Sequence, residues 1–174
     1  MNPGDSEPTP SRPRTIVERQ SDRELVVTRA FHAPATLVFE AWTRPELFRQ
    51  WWAPKSFGVT MISYEADVRT GGTYRLVMDH ESLDQPMAFF GRYIEVTSPS
   101  RLVWTNDEGD EDGAVTTVTF EERGGETLVV LRDCFPTKEA LDDAIASGST
   151  SGWGEQLDQL ETLVAGLGTR TGEP

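Results

Sequence analysis

Reactive side chains are scarce in this chain. Among 174 residues there are two histidines, His32 and His80, and one cysteine, Cys134. Nucleophilic catalysis of the Ser-His-Asp kind needs an imidazole held in place. His32 falls at a strand-to-helix junction and His80 near a hairpin end, and both are expected on the surface. Cys134 has no basic neighbour to lower its pKa and reads as a buried or edge thiol. No G-x-S-x-G or phosphate-binding loop is present, and no His/Cys cluster has zinc spacing. NDEGDEDG, residues 106–113, invites a calcium reading that its spacing defeats. Counted from Asp107, Gly109, Asp112 and Val118 stand where an EF-hand loop needs an oxygen ligand, a glycine and a glutamate. A solvated acidic hairpin is the better reading. Glu65, Asp67 and Arg69 alternate on one strand face. Pairing between Arg69 and Asp67 would hold a hairpin; the alternative is an Arg–carboxylate pair that faces a cavity. The sequence therefore points to no catalytic residue, no metal ligand and no cofactor.

Aromatic residues are the stronger signal. AWTRPELFRQWWAPKSFG carries Trp42, Trp51 and Trp52 around Pro45 and Pro54. Trp42 shares a helical face with Leu37 and Val38 and should fill core. Trp51 and Trp52 are adjacent, about 100° apart on a helix, so one can pack inward while Trp52 sits at a cavity mouth or on a protein-contact surface. Near the C-terminus, Trp153, Leu157, Leu160, Val164 and Leu167 recur as one apolar stripe. Gln156 lies between Trp153 and Leu157, where its amide would face either a ligand or solvent. In TYRLVMD, Tyr74, Leu76 and Met78 share a face, and methionine suits an adaptable pocket wall. Trp104, Val118 and Phe120 follow by the same alternation. In MAFFGRYIEV both faces are mixed, so either Phe89 and Tyr93 or Phe90 and Arg92 point inward; Phe89 and Tyr93 are carried as candidates. The candidate cavity lining is thus Trp52, Tyr74, Leu76, Met78, Phe89, Tyr93, Trp104, Val118, Phe120, Trp153, Gln156, Leu157 and Leu160. Plain hydrophobic core uses the same residue types.

These residues need elements to place them. ELVVTRAF reads as a strand with Leu25, Val27, Arg29 and Phe31 on one side. Pro34 and Pro45 open two short helices, since a first-turn proline forfeits no helical bond. A run of strands follows, with turns at Gly71-Gly72, Ser98 to Ser100, Gly109 to Gly113 and Gly124-Gly125; its hairpin spacing predicts an antiparallel sheet. A short helix is expected over 137–146, capped by Thr137, and a long one over 151–166. A sheet of this size must cover one face, and the last helix is the long amphipathic one available. The sheet must curl around it.

Length suits one domain, expected over 22–167, with polar tails at 1–21 and 168–174 read as disordered. Net charge is −13 from 29 acids and 16 bases, which repels nucleic-acid phosphates and anionic membranes. No apolar run approaches the roughly 20 residues of a membrane span. With no secretory h-region and one cysteine, the expectation is a cytoplasmic protein, monomeric or paired as a homodimer through a sheet edge.

AFHAPATLVFEAWTRPELFRQWWAP, YEADVRTGGTYRLVM, GRYIEVTSPSRLVWT and GWGEQLDQLETLV, in that order, resemble the START-like superfamily, which includes the birch-pollen allergen. Within it they are most similar to the branch named for the activator of the heat-shock-protein-90 ATPase. The resemblance spans about residues 23–166. It implies an α+β helix-grip fold: a curved antiparallel sheet of about six to seven strands around a long C-terminal helix, two short helices after the first strand, and a cavity between sheet and helix. Family members bind lipids, hormones or polyketides, act as cochaperones, or in a few cases catalyse cyclisation or hydrolysis. The leading expectation is binding of a small apolar or amphipathic molecule. A chaperone-associated interaction module comes second. An enzyme comes third and would need an acid or base such as Glu65, Asp67 or Tyr93 inside the cavity.

Overall fold

The computed structural model describes residues 15–107, 113–148 and 150–171. Its elements are β1 (Ile16–Arg19), β2 (Glu24–Phe31), α1 (Ala35–Thr43), α2 (Pro45–Trp51), a 3-10 turn (Lys55–Phe57), β3 (Thr60–Ala66), β4 (Thr73–Asp79), β5 (Met87–Thr97), β6 (Arg101–Thr105), β7 (Val115–Arg123), β8 (Glu126–Cys134), α3 (Lys138–Ala146) and α4 (Trp153–Thr171). The strands form one antiparallel sheet in the order β1-β2-β8-β7-β6-β5-β4-β3. From β3 to β8 each strand pairs with the next in sequence. Before that run, α1 and α2 carry the chain from β2 to the far edge.

Eight strands stand where about six to seven were expected, and β1 accounts for the difference. It lies inside the stretch read as a disordered tail. All four of its residues are exposed, so no buried face marks it in the sequence. Backbone pairing with β2 holds it, from Ile16 opposite Thr28 to Arg19 opposite Leu25, and Arg19 is bound to Asp142 of α3 at 2.8 Å. At the other end, α4 runs to Thr171, five residues beyond the expected 166, because helical bonding outlasts the apolar stripe. The acidic segment 108–112 and the termini 1–14 and 172–174 lie outside the described residues.

Local chemistry explains the helix boundaries. Pro45 occupies the first turn of α2, and the N–H of Trp52 still bonds to Phe48 O at 3.2 Å before Pro54 stops the helix. Pro34 at the cap of α1 offers no side chain to the free amides. Glu122 of β7 supplies the acceptor instead, taking the Ala35 N–H at 2.8 Å, and its negative charge suits a helix N-terminus. Thr137 caps α3 by accepting from Ala140 N at 3.0 Å.

The core lies between the concave face of the sheet and the layer made by α1, α2 and α4. Val27, Phe31, Val38, Trp42, Trp51, Leu102, Val118, Phe120, Leu131, Leu157, Leu160 and Val164 are all buried in it. Trp51 is fully buried and donates its indole N–H to Ala41 O at 2.9 Å. Trp42 is buried against it with ring centroids 4.8 Å apart, and its own N–H lacks a partner among the described residues. Arg29 is the one buried cation among the described residues. It binds Asp158 at 2.6 Å and Glu161, both on α4, and so ties that helix to β2.

Candidate functional site

One end of the space between sheet and α4 is hollow. A cavity of about 310 Å³ is lined by Trp52, Pro54, Phe57, Val59, Tyr74, Leu76, Met78, Phe89, Trp104, Asn106, Gly152, Trp153 and Gln156. A second chamber of about 350 Å³ shares Trp52, Phe89, Trp104, Asn106 and Trp153 with the first, and continues to Gly113, Ala114, Thr116, Asp133, Phe135, Ala144, Thr150. Both volumes fall within the range of small-molecule sites, about 300–1,000 Å³.

Each wall has a stated support. Trp52 stacks on Phe48 with centroids 4.7 Å apart and meets Trp153 edge-on at 5.6 Å. The segment after α2 is held by polar side chains of α4. Gln156 donates its amide to Trp52 O. Gln159 donates to both Trp51 O and Ala53 O at 2.9 Å. Gln159 also accepts the Lys55 N–H at 2.9 Å, and Glu155 accepts the Ser56 N–H at 2.8 Å. α4 therefore satisfies the carbonyls that the end of α2 leaves free and fixes Trp52 at the rim. The opposite wall is the sheet, where Met78 of β4 is the register partner of Met61 on β3 and of Met87 on β5. Met78 faces the cavity with Leu76, Tyr74 and Phe89. On β5 the inward face is Phe89, Gly91, Tyr93; a Cβ on Gly91 would stand 1.9 Å from Thr105 O, so only glycine admits this approach of backbone.

A polar strip crosses the two chambers. The Tyr74 hydroxyl donates to Thr105 O at 2.7 Å and lies 3.4 Å from Asn106 Oδ1. The Asn106 amide donates to Ala114 O at 2.8 Å and to Thr116 Oγ1 at 3.2 Å. The Thr116 hydroxyl donates to Asp133 Oδ1 at 2.5 Å. Asp133 sits deep in the fold and keeps part of its surface open to the chamber. Burial pushes its carboxyl up to about 6, against a smaller lowering by the Thr116 hydrogen bond.

This geometry belongs with the fold of known proteins. Residues 32–165 match the family model of the Activator of Hsp90 ATPase homolog 1-like proteins. The chain belongs to this family. Solved structures similar to it include a protein from Rhodobacter sphaeroides, 23% identical, with 88% of this chain and 99% of that one covered and a TM-score of 0.78. Another from Nitrosomonas europaea is 24% identical, with 87% and 99% covered and a TM-score of 0.77. A third from Staphylococcus epidermidis is 28% identical, with 86% and 93% covered and a TM-score of 0.72. None of the curated proteins matches the chain.

Within this Hsp90-activator-like fold, the candidate lining residues divide. Trp52, Tyr74, Leu76, Met78, Phe89, Trp104, Trp153 and Gln156 stand in the cavity wall. Tyr93, Val118, Phe120, Leu157 and Leu160 do not; they are buried in the packed core, because α1 and α2 cover that end of the sheet and α4. Tyr93 lies against Tyr64 with their hydroxyls 3.5 Å apart, and burial raises both phenol pKa values. Gln156 is in the wall, yet its amide N–H is engaged by the Trp52 carbonyl. The residues named for the enzyme reading are not brought together. Glu65 is exposed, and Asp67 pairs with Arg69 at 2.7 Å on the surface. His32 is exposed beside Glu126, and His80 bonds to Ser82.

Asp133, Asn106, Thr116 and Phe57 were missed. Asp133 had a legible signal: in ETLVVLRDC, alternation from Thr127 through Val129 and Leu131 sets it on the inward face. Asn106 and Phe57 lie outside regular strands, where alternation gives no direction. Among the described residues no group of three or more metal-type side chains converges, and no helix is long and apolar enough to cross a membrane.

Proposed function

We propose that this protein binds a small apolar or amphipathic molecule in the cavity between its sheet and α4, and does so in the cytoplasm. The observation that carries this reading is the chamber of about 310 Å³ walled by Trp52, Phe89, Trp104 and Trp153 with few polar atoms. Rigid indoles on opposing elements keep such a space from collapsing, and they offer a ligand large contact area at little cost in side-chain entropy. Native mass spectrometry of the protein from its own host, followed by denaturation, tests the reading. A released small molecule of reproducible mass is the expected result. A bare mass, together with no saturable quenching of tryptophan emission by any apolar probe, would sink it. The same spectrum distinguishes monomer from homodimer.

A second reading is a protein-interaction module serving a chaperone. It is favoured by the family's description and by Phe90 and Ile94, which stand exposed on the outer face of β5. Replacing both with serine should abolish any partner binding while leaving cavity probes unaffected.

A further inference from the structure

Asp133 poses a problem that its own network does not solve. It is the one charged side chain in the wall of either chamber among the described residues. Thr116 is its one hydrogen-bond donor among them, and no Lys, Arg or His is paired with it. A carboxylate taken from water without a counter-charge is costly. An asparagine would also accept the Thr116 hydroxyl, without the cost of burying a charge. The hydrogen-bonded strip also runs the wrong way to need an acid: Asn106 donates to Thr116, and Thr116 donates to Asp133, so the negative end is left facing the open chamber. Three of the five wall residues shared with the apolar chamber are tryptophans, Trp52, Trp104 and Trp153, and indole ring faces attract cations. The net charge of −13 disfavours an anionic ligand in the same place.

We propose that the ligand carries a cationic amine, which seats on Asp133 while its apolar body fills the tryptophan-walled chamber. This assignment rests on the cavity-binding reading and narrows it to one chemical class. The ammonium supplies the counter-charge that the fold withholds, donates to the open carboxylate oxygen, and lies within a wall of aromatic faces.

The test uses three probes of one chain length and different heads: octylammonium, octanol and octanoate. Each is titrated into the full chain at neutral pH, below its micelle concentration, with binding followed by tryptophan emission and calorimetry. Octylammonium should bind at least about tenfold tighter than octanol, and octanoate weakest of all. In Asp133→Asn, octylammonium should fall to within about twofold of octanol, and octanol should be unchanged. If octanol binds as tightly as octylammonium to the native chain, the amine assignment is wrong and the cavity reading stands. If the preference survives in D133N, the attraction belongs to the acidic surface and the assignment is again overturned. If none of the three binds saturably, the cavity reading falls and takes the assignment with it. The comparison of heads on the native chain holds whether or not the variant folds.

Discussion

Along α4, Leu157, Leu160 and Val164 are packed into one cluster with Val118, Phe120 and Leu131. One turn earlier on the same helix, Trp153 and Gln156 face open space. Both ends use strand residues of the same types, and both lie beneath the same sheet. They differ in what covers them. α1 and α2 pack against α4, and Val38, Trp42 and Trp51 share one cluster with Leu157, Leu160 and Val164, so side chains can interdigitate there at native density. Over the apolar chamber the cover is the segment from Trp52 to Val59, pinned by Glu155, Gln156 and Gln159. A pinned backbone cannot settle onto the sheet, and large flat indoles bridge the space without filling it. The difference teaches that the hollow is set by main-chain supports more than by the size of its wall residues.

The comparison breaks most visibly at Leu160, which is fully buried. Leu160→Ala should cost about 2–5 kcal/mol, as a new cavity opens in a well-packed site. Urea unfolding measures it, and a loss below about 1 kcal/mol would mean that the packed end is loose in solution. The hollow end should respond to Asp133→Asn with the opposite sign. The folded-state pKa of Asp133 lies near 6, above its ordinary value of 3.8. Between those values the folded protein holds more protons than the unfolded chain, so stability falls as pH rises from about 4 to about 6. Above that window the native chain bears the full penalty, with a ceiling of about 3 kcal/mol. D133N should therefore unfold at a higher temperature than the native chain at pH 7, match it near pH 4, and show a flatter profile between. An unchanged profile would place the carboxylate in water.

How much of this contrast was legible in the sequence depends on which force sets each residue. Alternation and helical spacing report which side of an element is apolar, and on that basis ELVVTRAF, the two proline-led helices and the stripe on α4 could all be placed. They do not report density. Val118 and Trp104 follow the same inward logic, yet one is core and the other is wall. β1 escaped notice because backbone pairing with β2 and one surface ion pair from Arg19 hold it, and its exposed side chains carry no apolar pattern. Arg29 sat in plain view on the inward face of β2. Its partners Asp158 and Glu161 are spaced by three on α4, but nothing local says that helix and strand will meet. On β5, Phe89 and Tyr93 share the inward face with Gly91, whose missing side chain lets the strand approach Thr105, a close contact that alternation could not reveal.

The smallest expected effect sharpens the comparison furthest. Met78 is half-buried and lines the cavity, between Met61 and Met87 in register. Truncating it to alanine removes about as many heavy atoms as Leu160→Ala does, but at a site that already has open space on one side. The neighbours lose fewer contacts, and the added volume joins an existing hollow instead of creating one. Met78→Ala should cost about 1 kcal/mol or less, a fall of about 2–4 °C in Tm for a chain of this size. Met78→Leu, which roughly conserves volume, should be closer to neutral. The ratio of the Leu160 and Met78 truncations is then a direct reading of density at the two ends of α4. If the two cost the same, the chamber closes in solution and any ligand must reopen it.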